Sequence, residues 1–451
     1  MNNQISINNP EIENCNICIV GLGYVGLPLA IEFSRVKNCI RTGVPLKRKI
    51  TGFDLNKKRI EALKLGIDIT NETEEEDLKE FQSINFTSDP NEIKGIDVFI
   101  VSVPTPIDSN KNPDLTFLLK ASEIIGDLIK RSDSIYAPII IYESTVYPGT
   151  TEEICVPILE KRSKLKYNKQ FFCGYSPERI NPGDKKHRLA SIVKVTSGSN
   201  KEVADWIDAL YGSIIKAGTF KAKSIKVAEA AKAIENTQRD INIALVNELA
   251  KICKAINIDT LDVLETAGSK WNFMPFRPGL VGGHCISVDP FYLTYIAKKN
   301  GYEPKVVLSG REINDGMSKW IIEQFYIAMI EKGIIPEKSK ILMLGVTFKE
   351  NCPDTRNSKV LDMIKILNIR GIKPYIYDPY ITEENKLSND FIFLKNLPND
   401  GSTKFDAIII SVAHEKFKLI SIDEWGNLIN SNNVIYDLKG ILPRELNPMR
   451  L

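Results

Sequence analysis

The segment VGGHCISVDPFYL, Val281 to Leu293, sets a cysteine, a histidine and an aspartate behind two glycines. Cys285 is the best nucleophile candidate in the chain. A thiolate can add to a carbonyl to give a thiohemiacetal, and oxidation of that adduct gives a thioester. Such a thiol works best where nearby positive charge lowers its pKa. His284 is a candidate activating base, although chain neighbours often point apart. A buried structural thiol is the competing reading of Cys285. Lys232 and Asn236 stand four residues apart in a helical pattern, so they project from one face. Ala228, Ala231 and Ala233 around them are small. A lysine and an amide on such a face can stabilise a developing oxyanion. Taken alone, two exposed helix-surface residues are the simpler reading.

Two loops carry further candidates. ESTVYPGTT (Glu143 to Thr151) follows a buried-strand pattern and opens a helical one, which puts Ser144 and Thr145 at a strand's carboxyl end. YSPERINPGD (Tyr175 to Asp184) is proline-rich and carries Glu178 and Arg179. By position both belong to the crevice where a doubly wound sheet receives ligands. In isolation they are capping and turn residues.

VGLGYVGLPLA places Gly21, Gly23 and Gly26 in G-x-G-x-x-G spacing directly after an apolar run. The first glycine permits a tight turn, the second lets a pyrophosphate approach the backbone, and the third lets the helix pack on the sheet. Asp54 closes the next strand pattern, in GFD, where an acidic side chain accepts from ribose hydroxyls and favours NAD over NADP. It falls later than usual because of the basic insert RTGVPLKRK, Arg41 to Lys49. Placed near the adenosine end, that insert raises the alternative of an NADP phosphate contact; a solvated loop is the default for such a run.

These residues need a scaffold, and the sequence supplies one. NICIV, KITGF, DVFIVSV and IIIY read as buried strands separated by helical stretches, which implies right-handed βαβ units and a parallel sheet. From Lys221 to Ile256 there is no proline or glycine, and Ile225, Ala228, Ala231, Ile234, Ile241, Leu245, Leu249 and Ile252 recur at helical spacing. One helix there would run roughly 54 Å, joining domains and offering a face to another subunit; two helices broken near Asn236 are the alternative. A second α/β pattern starts at KILMLG, Lys340 to Gly345. Its turn lacks the glycine fingerprint and carries Lys349 and Arg356 instead. The expected fold is α/β: two Rossmann-like doubly wound domains joined by a central helical domain with one long helix. The boundaries are placed at 1–205, 206–320 and 321–451.

Composition excludes several classes. The formal net charge of the 451 residues is +2, which gives no reason to expect a nucleic-acid partner or an anionic membrane surface. No apolar run is long enough to span a bilayer, and the polar start of the chain lacks a signal-peptide core. A cytoplasmic protein is expected. Cys15 and Cys18 form C-x-x-C without a second pair or histidine cluster to complete a zinc site, so core thiols and no metal are expected.

Taken in order, VGLGYVGLPLA, VPTPID, ESTVYPGTTEE, YSPERINPGD, AEAAKAIENTQRDINIALVNE, GGHCISVDP and LGVTFKENCPDTRNS resemble the UDP-glucose/GDP-mannose dehydrogenase family from about Cys15 to the C-terminus. WNFMPFRPGLVGGHC is similar to the subgroup acting on UDP-N-acetylglucosamine or UDP-N-acetylgalactosamine. The resemblance implies a four-electron oxidation of a sugar C6 alcohol to a carboxylate with two NAD in succession, for surface polysaccharide precursors. It makes Cys285 the nucleophile that holds the aldehyde, and Lys232 and Asn236 the oxyanion stabilisers. Asp289, with water near Thr145, assists proton transfer and hydrolysis, and Glu178 takes a second acid/base or water-positioning role. The implied NAD contacts are Gly21, Gly23, Tyr24, Val25, Gly26, Asp54, Arg59, Thr105, Thr145 and Arg356. The implied UDP-sugar contacts are Glu178, Arg179, Lys232, Asn236, Phe273, Arg277, Gly283, Phe348 and Lys349. The long helix favours a homodimer, with a higher homo-oligomer as the alternative. UDP-glucose and UDP-N-acetylmannosamine are the alternative substrates. A two-electron dehydrogenase of the 3-hydroxyacid type needs neither Cys285 nor residues 340–451, and a non-catalytic sensor leaves the Cys285, Lys232, Asn236 and Asp289 set without purpose.

Overall fold

The computed structural model describes residues 9–70, 73, 77, 79–132, 134–179, 188–283, 286–381, 390–398 and 401–451. His284 and Cys285 lie outside the described residues. The chain divides into two compact units, one running to Ile234 and including Phe291–Asn300, the other comprising Glu235–Pro290 and Gly301–Leu451.

The first unit is built on a six-stranded sheet of β1 (Ile17–Val20), β2 (Ile50–Phe53), β3 (Ile84–Thr87), β4 (Val98–Val101), β5 (Ile139–Tyr142) and β6 (Phe172–Tyr175). The strand order is β3-β2-β1-β4-β5-β6 and every pairing is parallel. Parallel strands are covered on both faces, so they read as unbroken apolar runs. Ile17 and Ile19 of β1 enter one core with Val203, Ile207 and Leu210, whereas Cys18 and Val20 enter the opposite core with Ile125, Tyr142 and Leu159. The C-x-x-C thiols are thus core residues: Cys15 and Cys18 are both buried, and burial pushes the Cys15 thiol up to about 12.

The second unit repeats the plan. Its strands β9 (Ile341–Leu344), β10 (Tyr375–Tyr377), β11 (Ile392–Phe393), β12 (Phe405–Ile410), β13 (Ile429–Asp437) and β14 (Met449–Arg450) are ordered β11-β10-β9-β12-β13-β14, again all parallel. The first turns match in detail. Gly21 N donates to Phe53 O at 2.8 Å and Leu22 N to Asp54 Oδ2 at 2.9 Å. Gly345 N donates to Tyr377 O at 2.9 Å and Val346 N to Asp378 Oδ2 at 2.7 Å.

The long helix spans Ile225–Ala255, 31 residues without a break at Asn236. It begins later than the sequence pattern suggests because Thr219–Lys221 is taken up as β8, paired in parallel with β7 (Lys194–Thr196). The basic insert also sits differently from expectation. It leads into the amino end of β2, a strand length away from Asp54 at the carboxyl end, and Arg41 is engaged by Asp208 at 2.8 Å. That geometry removes the reason for an NADP phosphate contact.

Within the second unit the long helix is tied to the Lys305–Glu331 helix by a buried polar network. Arg311 Nη1 and Asn314 Nδ2 each donate to Asp240 Oδ1 at 2.7 Å. Asn247 Nδ2 donates to Asn314 Oδ1 at 2.8 Å and to Gly279 O at 3.0 Å, while its Oδ1 accepts from Gly279 N at 2.7 Å. Burial pushes the Asp240 carboxyl up, against the pull of Arg311. Removing one member of a buried ion pair strands the other charge, which costs about 3–5 kcal/mol. Arg311→Met should therefore lower unfolding free energy by that order in urea titration; a loss below about 1 kcal/mol would mean the network contributes little.

Candidate active site

The glycine turn has the form that a dinucleotide needs. Gly21 has φ +93°, a left-handed value. A Cβ on Gly26 would overlap the Gly21 carbonyl oxygen and crowd Ser102 Oγ, so the helix Gly26–Arg35 can start there only with glycine. A Cβ on Gly23 would meet nothing within 4 Å, which leaves open space beside the backbone for a pyrophosphate. Asp54 Oδ1 accepts from Asn56 N at 2.8 Å and Oδ2 from Leu22 N, so the side chain is held at the strand's end while staying partly exposed. Tyr24 and Val25 are likewise partly exposed on this turn. Arg59 differs from a free cation. It is buried, its Nε donates to Leu22 O at 3.0 Å and its Nη1 to Asp68 at 2.7 Å. It therefore braces the glycine turn from behind.

Thr145 and Thr105 meet at the carboxyl ends of β5 and β4. Thr105 Oγ1 donates to Thr145 O at 2.7 Å, Ser144 Oγ donates to Val103 O at 2.7 Å, and the Tyr292 hydroxyl donates to Thr105 O at 2.6 Å. Glu178 follows β6. Its main-chain carbonyl accepts from Lys232 Nζ at 2.8 Å. Lys232 is 6 % exposed and Asn236 is fully buried, so the reading of the pair as surface residues fails. An ammonium out of water needs oxygen partners, and Glu178 supplies one.

The Glu178 carboxylate faces inward. Oε1 accepts from Arg179 N at 2.6 Å and Oε2 from Lys194 Nζ at 2.6 Å. Lys194 also donates to Glu143 Oε2 at 2.8 Å, and the Tyr211 hydroxyl donates to Glu143 Oε1. Burial pushes the Glu143 carboxyl up and Glu178 adds to the effect, while Lys194 opposes both. Lys194 was not among the sequence candidates. A charge inside IVKVTSG, Ile192 to Gly198, looks like the outward position of an alternating strand, and nothing local marks its two carboxylate partners. Glu229, on the long helix, is not marked by the sequence either, because its backbone partners lie 80 and 78 residues away. It is fully buried and accepts from Gly149 N at 2.6 Å and Thr151 N at 2.9 Å, holding the turn that follows Thr145.

In the second unit Asn236 Nδ2 donates to Asp289 Oδ2 at 2.5 Å. An amide NH2 carries two hydrogens, of which this bond uses one. Asn236 Oδ1 is buried with no hydrogen-bond partner among the described residues. Asp289 is 2 % exposed and opens the helix Asp289–Lys299, so residues 286–288 before it are turn. The glycines preceding Cys285 are required by the protein's own atoms: a Cβ on Gly282 would lie 2.5 Å from Asn357 O, and one on Gly283 2.7 Å from the Phe348 ring. Gly283 O accepts from Asn357 Nδ2 at 3.1 Å. Gly283 and Phe348 are thus brought together, with Lys349 next to the ring in sequence and partly exposed. Arg356 is paired with Asp354 at 2.7 Å, Arg277 is exposed and Phe273 half-buried.

The comparisons with known proteins accord with this layout. The UDP-glucose/GDP-mannose dehydrogenase family's NAD binding domain matches residues 15–215, its central domain 226–316 and its UDP binding domain 342–444. The chain is 52% identical over 441 residues to UDP-N-acetyl-D-glucosamine 6-dehydrogenase of Salmonella typhi, covering 98% of this chain and 99% of that one. It is 51% identical over 440 residues to the Pseudomonas aeruginosa enzyme of the same name, covering 98% and 100%. Among solved structures, UDP-D-ManNAc dehydrogenase from Pyrococcus horikoshii matches with a TM-score of 0.82 at 29% identity, over 95% of this chain and 96% of that one.

Two outcomes follow from the geometry of the first unit. Overpacking a tight contact costs about 1–3 kcal/mol, so Gly26→Ala should weaken NAD binding about tenfold or more by calorimetric titration; an unchanged Kd would mean the turn adapts. Burial pushes the Glu229 carboxyl from 4.5 up to about 7, against the hydrogen bonds at Thr151 and Gly149. The folded chain then binds that proton more tightly than the unfolded chain. Its contribution to stability is present below about pH 4.5 and is lost as pH rises through about 7. Thermal unfolding between about pH 5 and pH 8 should decline less in Glu229→Gln than in the wild type, and parallel declines would contradict the assignment.

Proposed function

The chain belongs to the UDP-glucose/GDP-mannose dehydrogenase family and is an NAD-dependent nucleotide-sugar dehydrogenase, and on that premise we propose that it oxidises C6 of a UDP-N-acetylhexosamine, UDP-N-acetylglucosamine first, to the uronate. The observation that carries the substrate is the 52% identity, over nearly the whole of both chains, to an enzyme named for that reaction. UDP-N-acetylgalactosamine differs from it in the orientation of one hydroxyl and is the nearest competitor. UDP-N-acetylmannosamine is the second reading, favoured by the structural match to the Pyrococcus enzyme.

In this reading Gly21, Gly23, Tyr24, Val25, Gly26, Asp54 and Thr105 hold NAD, with Arg59 acting through the turn and Arg356 from the second α/β half. NAD, when bound, accepts a hydride in each of two oxidations. The Cys285 thiolate adds to the C6 aldehyde, forming the carbon–sulfur bond of a thiohemiacetal and retaining the intermediate between the two oxidations. Loss of the second hydride leaves a thioester, and water then releases the carboxylate and restores the thiol. The Lys232 ammonium and the second Asn236 amide hydrogen stabilise oxygen as it gains charge. Asp289 and water beside Thr145 move protons during addition and hydrolysis, and Glu178 adds a second acid/base or water-positioning group. The buried Asn236–Asp289 bond and the Lys232–Glu178 bond support these roles, because each holds a candidate group in one orientation.

Arg179, Phe273, Arg277, Gly283, Phe348 and Lys349 are assigned to the UDP-sugar. The three segments 1–205, 206–320 and 321–451 then carry NAD binding, the reacting side chains and UDP binding. The long helix leaves Val227, Ile234, Leu245 and Ile252 exposed by 50%, 52%, 63% and 50%, which supports a second copy of the chain covering it. The reaction is placed in the cytoplasm and its product in surface polysaccharide precursor synthesis. Among the described residues no helix is long and apolar enough to cross a membrane.

The test is NADH yield at limiting UDP-glucose, UDP-N-acetylglucosamine, UDP-N-acetylgalactosamine and UDP-N-acetylmannosamine. Two NADH per UDP-N-acetylglucosamine are expected, and a yield from UDP-glucose alone would overturn the substrate. Cys285→Ser should bind NAD yet stall after the first oxidation or lose turnover. Two NADH from that variant would remove the thioester route.

A further inference from the structure

Lys194 has no place in the reaction as set out, yet it touches both loops that carry it. It lies on β7, 2 % exposed, with its ammonium on Glu143 Oε2 at 2.8 Å and Glu178 Oε2 at 2.6 Å. Glu143 directly precedes Ser144 and Thr145 after β5, and Glu178 follows β6. One cation therefore closes two catalytic loops onto each other. Beyond Glu178 the chain of contacts continues, since its carbonyl receives Lys232 Nζ at 2.8 Å. Both oxygens of the Glu178 carboxylate are engaged, by Lys194 and by Arg179 N.

We propose that Lys194 is a positioning residue for the oxidation: by fixing the Glu178 side chain it fixes the carbonyl that orients Lys232, and by fixing Glu143 it sets the backbone at Thr145. Two carboxylates and one ammonium leave a buried cluster short of neutrality. For stability alone, apolar side chains of equal volume would serve as well or better. What they would lack is a directional hold on two separate loops, and misplacement by an ångström near a reacting group costs rate rather than affinity. β7 is suited to the task, because its partner β8 ends only a few residues before the helix that carries Lys232.

The inference rests on Lys232 stabilising the reacting oxygen, so the experiment separates the two ideas. Steady-state kinetics with NAD and UDP-N-acetylglucosamine would be measured for wild type, Lys194→Met, Lys194→Arg and Lys232→Ala, with thermal melting as the check on folding. Lys194→Met should lose about 100-fold in kcat with KM for NAD unchanged, and Lys194→Arg should recover part of the loss. Wild-type kcat in Lys194→Met alongside an inactive Lys232→Ala overturns the positioning role alone. Wild-type kcat in Lys232→Ala overturns the reading of Lys232 and takes the positioning role with it. Should Lys194→Met fail to fold, the doubly neutral Glu143→Gln/Lys194→Gln variant keeps hydrogen-bonding groups in place. It should show the same fall in kcat, and wild-type kcat there overturns the proposal.

Discussion

A buried ammonium must be answered by oxygen, and the first unit is organised around that requirement. Lys232 is held by a main-chain carbonyl and Lys194 by two carboxylates. The loops that supply these oxygens leave neighbouring strands of one parallel sheet at their carboxyl ends, where such folds gather ligand-binding segments. The backbone of the loops is fixed in turn, at Thr145 by Thr105 and at the following turn by Glu229. Electrostatic need and strand topology therefore select the same place.

Much of this was legible in the sequence, and what was legible is local. The glycine spacing, the aspartate ending β2, and the strand and helix periodicities each depend on residues close along the chain. The long helix was recognisable from its lack of breakers, and only its first turn was lost to strand pairing with β7. What escaped depends on distant partners. Lys232 and Asn236 sit on a small-residue face in any helical reading, but the groups that bury them lie 54 and 53 residues away. Lys194 meets Glu143 across 51 residues. The resemblance makes Arg59 an NAD contact, whereas its buried guanidinium touches the glycine turn from the inside, through Leu22 O, a partner 37 residues away.

The glycines before Cys285 show how a correct residue choice can have a different cause. The approach of a sugar would explain them, but Phe348 and the Asn357 carbonyl already occupy the space where side chains would stand. A region assigned to substrate binding is thereby pressed against the Gly282–Gly283 backbone that precedes Cys285 in sequence, within one unit.

The two sheets share strand order and the same hydrogen bond from turn to aspartate, but the second aspartate has been put to another use. Asp378 is 2 % exposed and faces His414 Nε2 at 3.1 Å, while His414 Nδ1 accepts from Asn351 N at 3.0 Å. A carboxylate enclosed in that way cannot reach a ribose diol, whereas the partly exposed Asp54 can. Compounds built to imitate the adenosine half of the cofactor should therefore saturate at one equivalent per chain. Resistance to such a compound would then arise by substitution around the first turn, leaving its twin untouched.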